Sequence, residues 1–451
     1  MAYWEKFANY FGPNYTLFIV VIAHCNIYLS FISYSWISPV LSKLNATEDN
    51  PLGNPITKED ADSIAALFYI GAAIGPILVF GIVDKIGRRN ILIAVSYIPP
   101  IVYGVLMFAN TITLYQICRF VLGLSTGVIF SVEPVFVSEM VSKKERPFLM
   151  AIITAFSFFG IFSSVSIGPF IPLDMFNGYI AFDCLAIALL MTFGFPESPY
   201  FLMKTEGEQA ARELLSTLRP ESVEEELSEI SKIITRESKG SRFGIFGSLK
   251  NFKAFILCTF PFLLQSYSGM ILILTHCDLI FMETTKAIPS MWSIIIVVSI
   301  TLLTSFITPV LITKKVPVFT LFVYCLCGVA TCDLIMALYF LFGRNIEFLS
   351  WLPLVVLVCF AVIYNFGLDP IPWMLLGQSY PLKLRAFGTA ISTSIFQLSL
   401  LSSLYFYHWI AVGYLFLFSS IFSLIGVIYF KFIFVPDTEK TEEETEMRVV
   451  T

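Results

Sequence analysis

The chain has 451 residues, 57% of them hydrophobic and 14% charged, with a mean hydropathy of +0.80. Soluble domains carry roughly 25% charged residues, so this composition points to a lipid environment. The formal charge of −5 is spread over loops of opposite sign and leaves no basic face for nucleic acid, and the nine cysteines include no CxxC metal or redox pair.

A membrane-spanning helix needs about 20 mostly apolar residues. Twelve stretches qualify, at approximately 15–41, 61–83, 91–109, 112–137, 148–169, 178–195, 253–281, 287–312, 316–342, 349–377, 386–408 and 411–434. The first is too long for a cleaved signal core and reads as a retained span. The one long polar segment divides the list six and six. The expected organisation is therefore an all-α membrane protein: a six-helix bundle over 1–195, a cytoplasmic helical linker over 196–252, a second bundle over 253–435 and a disordered acidic tail over 436–451. Within the linker, Leu214, Leu215, Leu218, Val223, Leu227, Ile230 and Ile234 recur at helical spacing and predict two to four short amphipathic helices.

Lys and Arg accumulate in cytoplasmic loops. With the N-terminus inside, 23 of the 28 fall on the cytoplasmic side, which places both termini in the cytosol. Asn45 of "NAT" then faces outward as a candidate glycan acceptor, whereas Asn14 of "NYT" stays inside.

After the second span, "VDKIGRR" packs Asp84, Lys85, Arg88 and Arg89 into seven residues. Related signals recur in both halves. Glu139 precedes Arg146 by seven positions in "SEMVSKKER", Gln378 precedes Arg385 by seven in "GQSYPLKLR", and "PES" at Pro196 is echoed by "PDT" at Pro436. These offsets imply a duplicated six-helix unit. Charges at helix ends can pair across two rocking bundles. An exposed ion pair contributes only about 0–1 kcal/mol, so a network of several suits an equilibrium that must open as well as close.

Further polar residues lie within or near spans: Arg119, Glu133, Asp183, Asp333 and Asp369. A charge there costs at least ~2.5–3.5 kcal/mol, and such residues mark function or a buried pair. Asp369 reads as a cation or proton site, as a partner for Arg119, or as a hydrated acid; His24 reads as a packing residue. Gly71 with Gly75 and Gly123 with Gly127 allow close helix approach. Pro370 and Pro372 leave span ten bendable.

Taken together these motifs resemble the sugar porters of the major facilitator superfamily. "DKIGRR" is similar to that family's D-R-x-G-R-R, "PVFVSEMVSKKER" to its P-V-Y-x-S-E stretch, "PESPYFL" to P-E-S-P-R-x-L, "PIPWMLLGQSYPLKLRA" to P-I-P-W…E-x-F-P…R-G and "PDTEKTEEE" to P-E-T-K-G. "ITAFSFFGI" looks closest to the fifth span of its facilitated trehalose carriers. The resemblance implies the major facilitator fold, with Asp84, Arg88, Arg89, Glu139, Arg146, Glu197 and Arg385 as a cytoplasmic gate. Gln378 stands at a family glutamate position and cannot form that ion pair.

In span seven the family's Q-Q-x-S-G-x-N reads "QSYSGMI", keeping Gln265 but placing Ser266 at the second glutamine. Span ten keeps Trp373, an amphipathic plate for a sugar ring. The implied substrate contacts are Gln265 and Trp373, with Thr154, Ser266, Thr275 and Gln397 as replacements for lost amides. The expected function is facilitative (uniport) transport of a sugar such as trehalose or a hexose across the plasma membrane by alternating access. Two alternatives are a carrier for another organic solute, with or without proton coupling through Asp369 or Glu133, and a sugar sensor that transports poorly. No GxxxxGK[ST], HExxH or arguable Ser-His-Asp grouping occurs, so no enzyme activity, cofactor or metal is expected; the partners are the solute and the bilayer.

Overall fold

The computed structural model describes residues 3–47, 50–237, 248–270, 272–273, 290–312 and 317–434. All regular structure among them is helical. Ten helices are long and apolar enough to cross a bilayer, and Ile294–Val310 is a shorter apolar one. They fall on every expected span but the seventh, which begins as helix Leu249–Tyr267 and runs into residues outside the described set. The first is longer than its hydropathy suggests and extends back to Trp4, because the amphipathic helix Tyr3–Phe11 joins it through a turn at Gly12–Asn14.

Local sequence sets the helix ends. Thr57 and Asp60 form a reciprocal capping box that starts the helix Lys58–Ile86. Gly87, at φ +99°, ends it and turns the chain into the helix Arg88–Ser96. Any side chain would strain that backbone, and a Cβ there would also collide with the Glu197 carboxylate. Spans two and four (Lys58–Ile86 and Ile112–Met140) lie backbone against backbone. A Cβ on Gly127 would strike the Ala72 carbonyl oxygen, and one on Gly71 the Phe120 carbonyl oxygen. Small residues four apart on both helices make this approach possible.

The chain divides into two compact units. One comprises Met1–Phe260 with Pro372–Leu401, the other Pro261–Ile371 with Ser402–Thr451. The end of span ten and most of span eleven thus group with the first six spans, the linker and the start of span seven. The linker contributes helices Pro199–Thr205, Glu208–Leu218 and Val223–Glu237. Their apolar stripes bury Ala211, Leu215, Leu227 and Ile230 against Tyr200, Leu202, Val223 and Ile234. Residues 436–451, expected as a tail, lie outside the described residues.

Gly127→Ala should therefore lower the thermal unfolding midpoint of detergent-purified protein, since overpacking costs typically about 1–3 kcal/mol. Gly104→Ala, whose Cβ meets nothing within 4 Å, should leave the midpoint unchanged.

Candidate functional site

The charged motifs converge on one carboxylate. Glu139, on span four, is 2% exposed. Its Oε1 accepts from Arg385 Nη1 at 3.1 Å, and its Oε2 faces Arg88 Nε at 3.5 Å and accepts from the Ser198 hydroxyl. Arg88 also pairs with Asp84, one helical turn earlier, at 3.3 Å. The neighbouring Glu197 binds backbone instead: its Oε1 accepts N–H groups of Arg88, Arg89 and Ser198 at 3.1, 3.2 and 2.9 Å. Burial pushes the Glu197 carboxyl above its usual range, while the Ser198 and Arg89 amides pull it back. Arg89 spends its guanidinium on the carbonyls of Phe195 at 2.6 Å and Thr192 at 3.0 Å. Arg146 donates to the Val141 carbonyl at 3.5 Å. Ser138 adds a bond across to the Gly377 carbonyl at 2.9 Å. Sequence reasoning passed over Ser138 and Ser198, although the first lies inside the "PVFVSEMVSKKER" motif and the second inside "PESPYFL". Gln378 closes the helix Pro370–Gln378, and its side chain lies outside the described residues.

Of the expected substrate contacts, Gln397 and Trp373 share an aromatic cluster in the first unit. Trp373 meets Phe130 at 5.0 Å and Phe396 edge-on at 5.6 Å between ring centroids. Tyr34 stacks on Phe130 at 5.8 Å and donates its hydroxyl to Gln397 Oε1. Gln397 is fully buried, and its amide nitrogen has no partner among the described residues. Thr154, also fully buried, has a hydroxyl with no partner among them. Tyr34 went unrecognised in the sequence, where nothing connects it to a residue 363 positions away.

In the second unit, Gln265 donates its amide to Asp369 Oδ1 at 2.8 Å, and its Oε1 has no partner among the described residues. Ser266 donates to the carbonyl of Phe262 in its own helix at 2.9 Å, an ordinary helical bond. Thr275 lies outside the described residues. Asp369 is 5% exposed.

The other intramembrane charges resolve differently. Arg119 is held by the carbonyls of Ser33 at 2.6 Å and Ile64 at 3.4 Å, with its guanidinium 4.1 Å from the centre of the Phe68 ring. Asp183 accepts from the Tyr28 hydroxyl at 3.2 Å. Asp333 is fully buried beside Gly269, and neither of its oxygens has a hydrogen-bond partner among the described residues. His24 is no simple packing residue: its Nδ1 lies 2.7 Å from Glu133 Oε1 and its Nε2 lies 3.0 Å from the Leu149 carbonyl.

The sequence model of a family described as sugar (and other) transporter matches residues 14–447. The facilitated trehalose transporter Tret1 of Bombyx mori is 27% identical over 442 residues, covering 92% of this chain and 83% of that protein. Trehalose transporter 1 of Drosophila melanogaster is 26% identical over 94% of this chain, which spans 50% of its length. Among solved structures, the proton:xylose symporter XylE bound to 6-bromo-6-deoxy-D-glucose superposes with a TM-score of 0.79 at 16% identity, covering 93% of this chain and 96% of that one. The human organic anion transporter MFSD10 gives 0.66 at 14% identity, over 91% and 98%. At these identities the structural likenesses establish the fold.

A double-mutant cycle checks the ion cluster. Glu139→Gln with Arg385→Gln should show a coupling within about 0.5–3 kcal/mol in thermal unfolding. Glu139→Gln with Arg146→Gln should show a smaller one, because Arg146 bonds a backbone carbonyl.

Proposed function

The chain belongs to the sugar (and other) transporter family, and from that premise we propose that it carries a sugar, trehalose or a hexose, passively across the plasma membrane by alternating access. The observation that carries this reading is the buried Gln397 amide, whose donor has no partner among the described residues, set among Tyr34, Phe130, Phe396 and Trp373. A sugar entering a protein gives up water, and each hydroxyl left without a partner costs roughly 1–3 kcal/mol. An amide donor beside aromatic faces meets both needs, since it bonds a hydroxyl oxygen while the rings cover the apolar C–H face.

The ion cluster supplies the moving part. Glu139 ties span four to Arg385 at the start of span eleven, and Ser138 ties it to the end of the span-ten helix. Release of these bonds would free spans ten and eleven from span four, one stroke of an alternating cycle. These pairs are largely buried, so they part only when the whole set opens to water and the separated ions are solvated. The remaining features fit a multi-pass carrier with both termini in the cytosol and no catalytic role. Asn45, exposed at the end of the helix Ile37–Leu44, would carry a glycan on the outer side.

In liposomes, purified protein should exchange labelled trehalose or glucose without an imposed proton gradient. Gln397→Ala should reduce exchange by roughly 5- to 150-fold, the factor for one lost bond of about 1–3 kcal/mol. Ligand-induced thermal stabilisation by a sugar without exchange of any sugar would identify a sensor instead.

A further inference from the structure

His24 is fixed from both sides by oxygen atoms. Nε2 faces the Leu149 carbonyl at 3.0 Å and Nδ1 faces Glu133 Oε1 at 2.7 Å. A carbonyl can only accept, so Nε2 carries a hydrogen. The Nδ1–Oε1 contact then needs one more proton, whether it sits on the ring or on the acid. Without it, a nitrogen lone pair would oppose a carboxylate at hydrogen-bond distance. His24 is 1% and Glu133 0% exposed, and Glu133 Oε2 has no partner among the described residues. Among the described residues the group therefore has no second cation to neutralise the charge that loss of that proton would leave.

Neighbouring elements supply none. The ring of Phe156 lies against His24, and its helix Ile153–Ile167 carries no ionisable side chain. Asp183, on the helix Leu173–Gly194, is bound by Tyr28. Arg146, at the start of span five, bonds the Val141 carbonyl, and on span four Glu139 is taken by Arg88 and Arg385. The first helix brings Lys6, which is exposed, and Glu5, which is half-buried.

We propose that His24, Glu133 and the Leu149 carbonyl form a proton-binding site that pins the joint in span five. That joint lies at Ile152, between the helices Arg146–Ala151 and Ile153–Ile167. Leu149 stands three residues before it, and Thr154, with its open buried hydroxyl, two residues after it. Losing the proton releases the Leu149 anchor and lets the segment bearing Thr154 shift. Proton binding and sugar binding are then linked, each favouring the other. This consequence for sugar rests on the carrier reading; the site itself does not.

The test compares thermal unfolding of purified wild type, Glu133→Gln and His24→Gln as pH is raised across the range in which all three stay folded. Wild type should lose stability with rising pH, by a shift on the order of 2–4 °C beyond any seen in the variants. Glu133→Gln should flatten the profile, because a glutamine amide can donate to a neutral Nδ1 at every pH. His24→Gln, which has no imidazole, should flatten it too and decides the matter if the first variant does not fold. Parallel profiles in wild type and variant overturn the proposal. Sugar exchange is read separately in liposomes. Absent exchange with a wild-type-specific pH profile sinks the carrier reading and leaves the proton site standing, and exchange with parallel profiles does the reverse.

Discussion

The carboxylate of Glu139 has to be neutralised where it sits. It is buried near the end of span four, and an isolated charge in such a place costs several kcal/mol. Arg88 from the turn after span two, Arg385 from span eleven and Ser198 from the linker all converge on it. Each donor must be delivered by a different stretch of chain, so the requirement constrains much of the first unit. Gly87 takes its positive φ so that the chain can turn under Glu197, and Glu197 in turn fixes the backbone of Arg88 and Arg89. The helices around the cluster cannot slide without leaving a buried charge exposed to apolar surroundings. They can separate if the whole set opens to water, where the ions are solvated. That asymmetry suits a gate better than a rigid core, which would be built from apolar contacts alone.

Much of this was legible in the residues. Span positions follow from apolar length, a signal strong enough to survive any tertiary context. The charged cluster was legible because its charges sit in short motifs at helix ends. What could not be read was which of the charges touch. Arg146 was expected in the same charged set as Glu139 and bonds a backbone carbonyl, while Ser198, not expected there, bonds Glu139. The grouping of Pro372–Leu401 with the first unit was equally hidden, because hydropathy marks where a helix lies and not what it packs against.

The same limit applies to His24. Its sequence neighbourhood holds no acid, which favoured a packing role. Glu133 lies 109 positions away on another span, and no periodicity within either helix shows that the two face each other. Tyr34 and Gln397 repeat the lesson at a separation of 363. Polar residues inside a membrane find partners across helices, so their pairing is a property of the bundle.

The pattern of satisfaction in the first unit also bears on what the cluster around Gln397 is for. Arg119, Asp183 and Glu139 are each bonded, as burial demands. The Gln397 amide is half satisfied, with its oxygen taken by Tyr34 and its nitrogen without a partner among the described residues. A structural amide in apolar surroundings would be expected to use both ends, since an orphaned donor costs as much as a lost bond. Because Tyr34 occupies the oxygen, the amide offers only a donor to anything that enters. An acceptor oxygen with an apolar flank is the chemistry that fills such a place, and a cationic amine is not. The hydroxyl of a sugar has that oxygen, and the C–H groups beside it match the rings of Phe130 and Trp373. A cost retained in the protein alone and relieved by its ligand is how a polar site discriminates, because a solute lacking the oxygen leaves the donor orphaned.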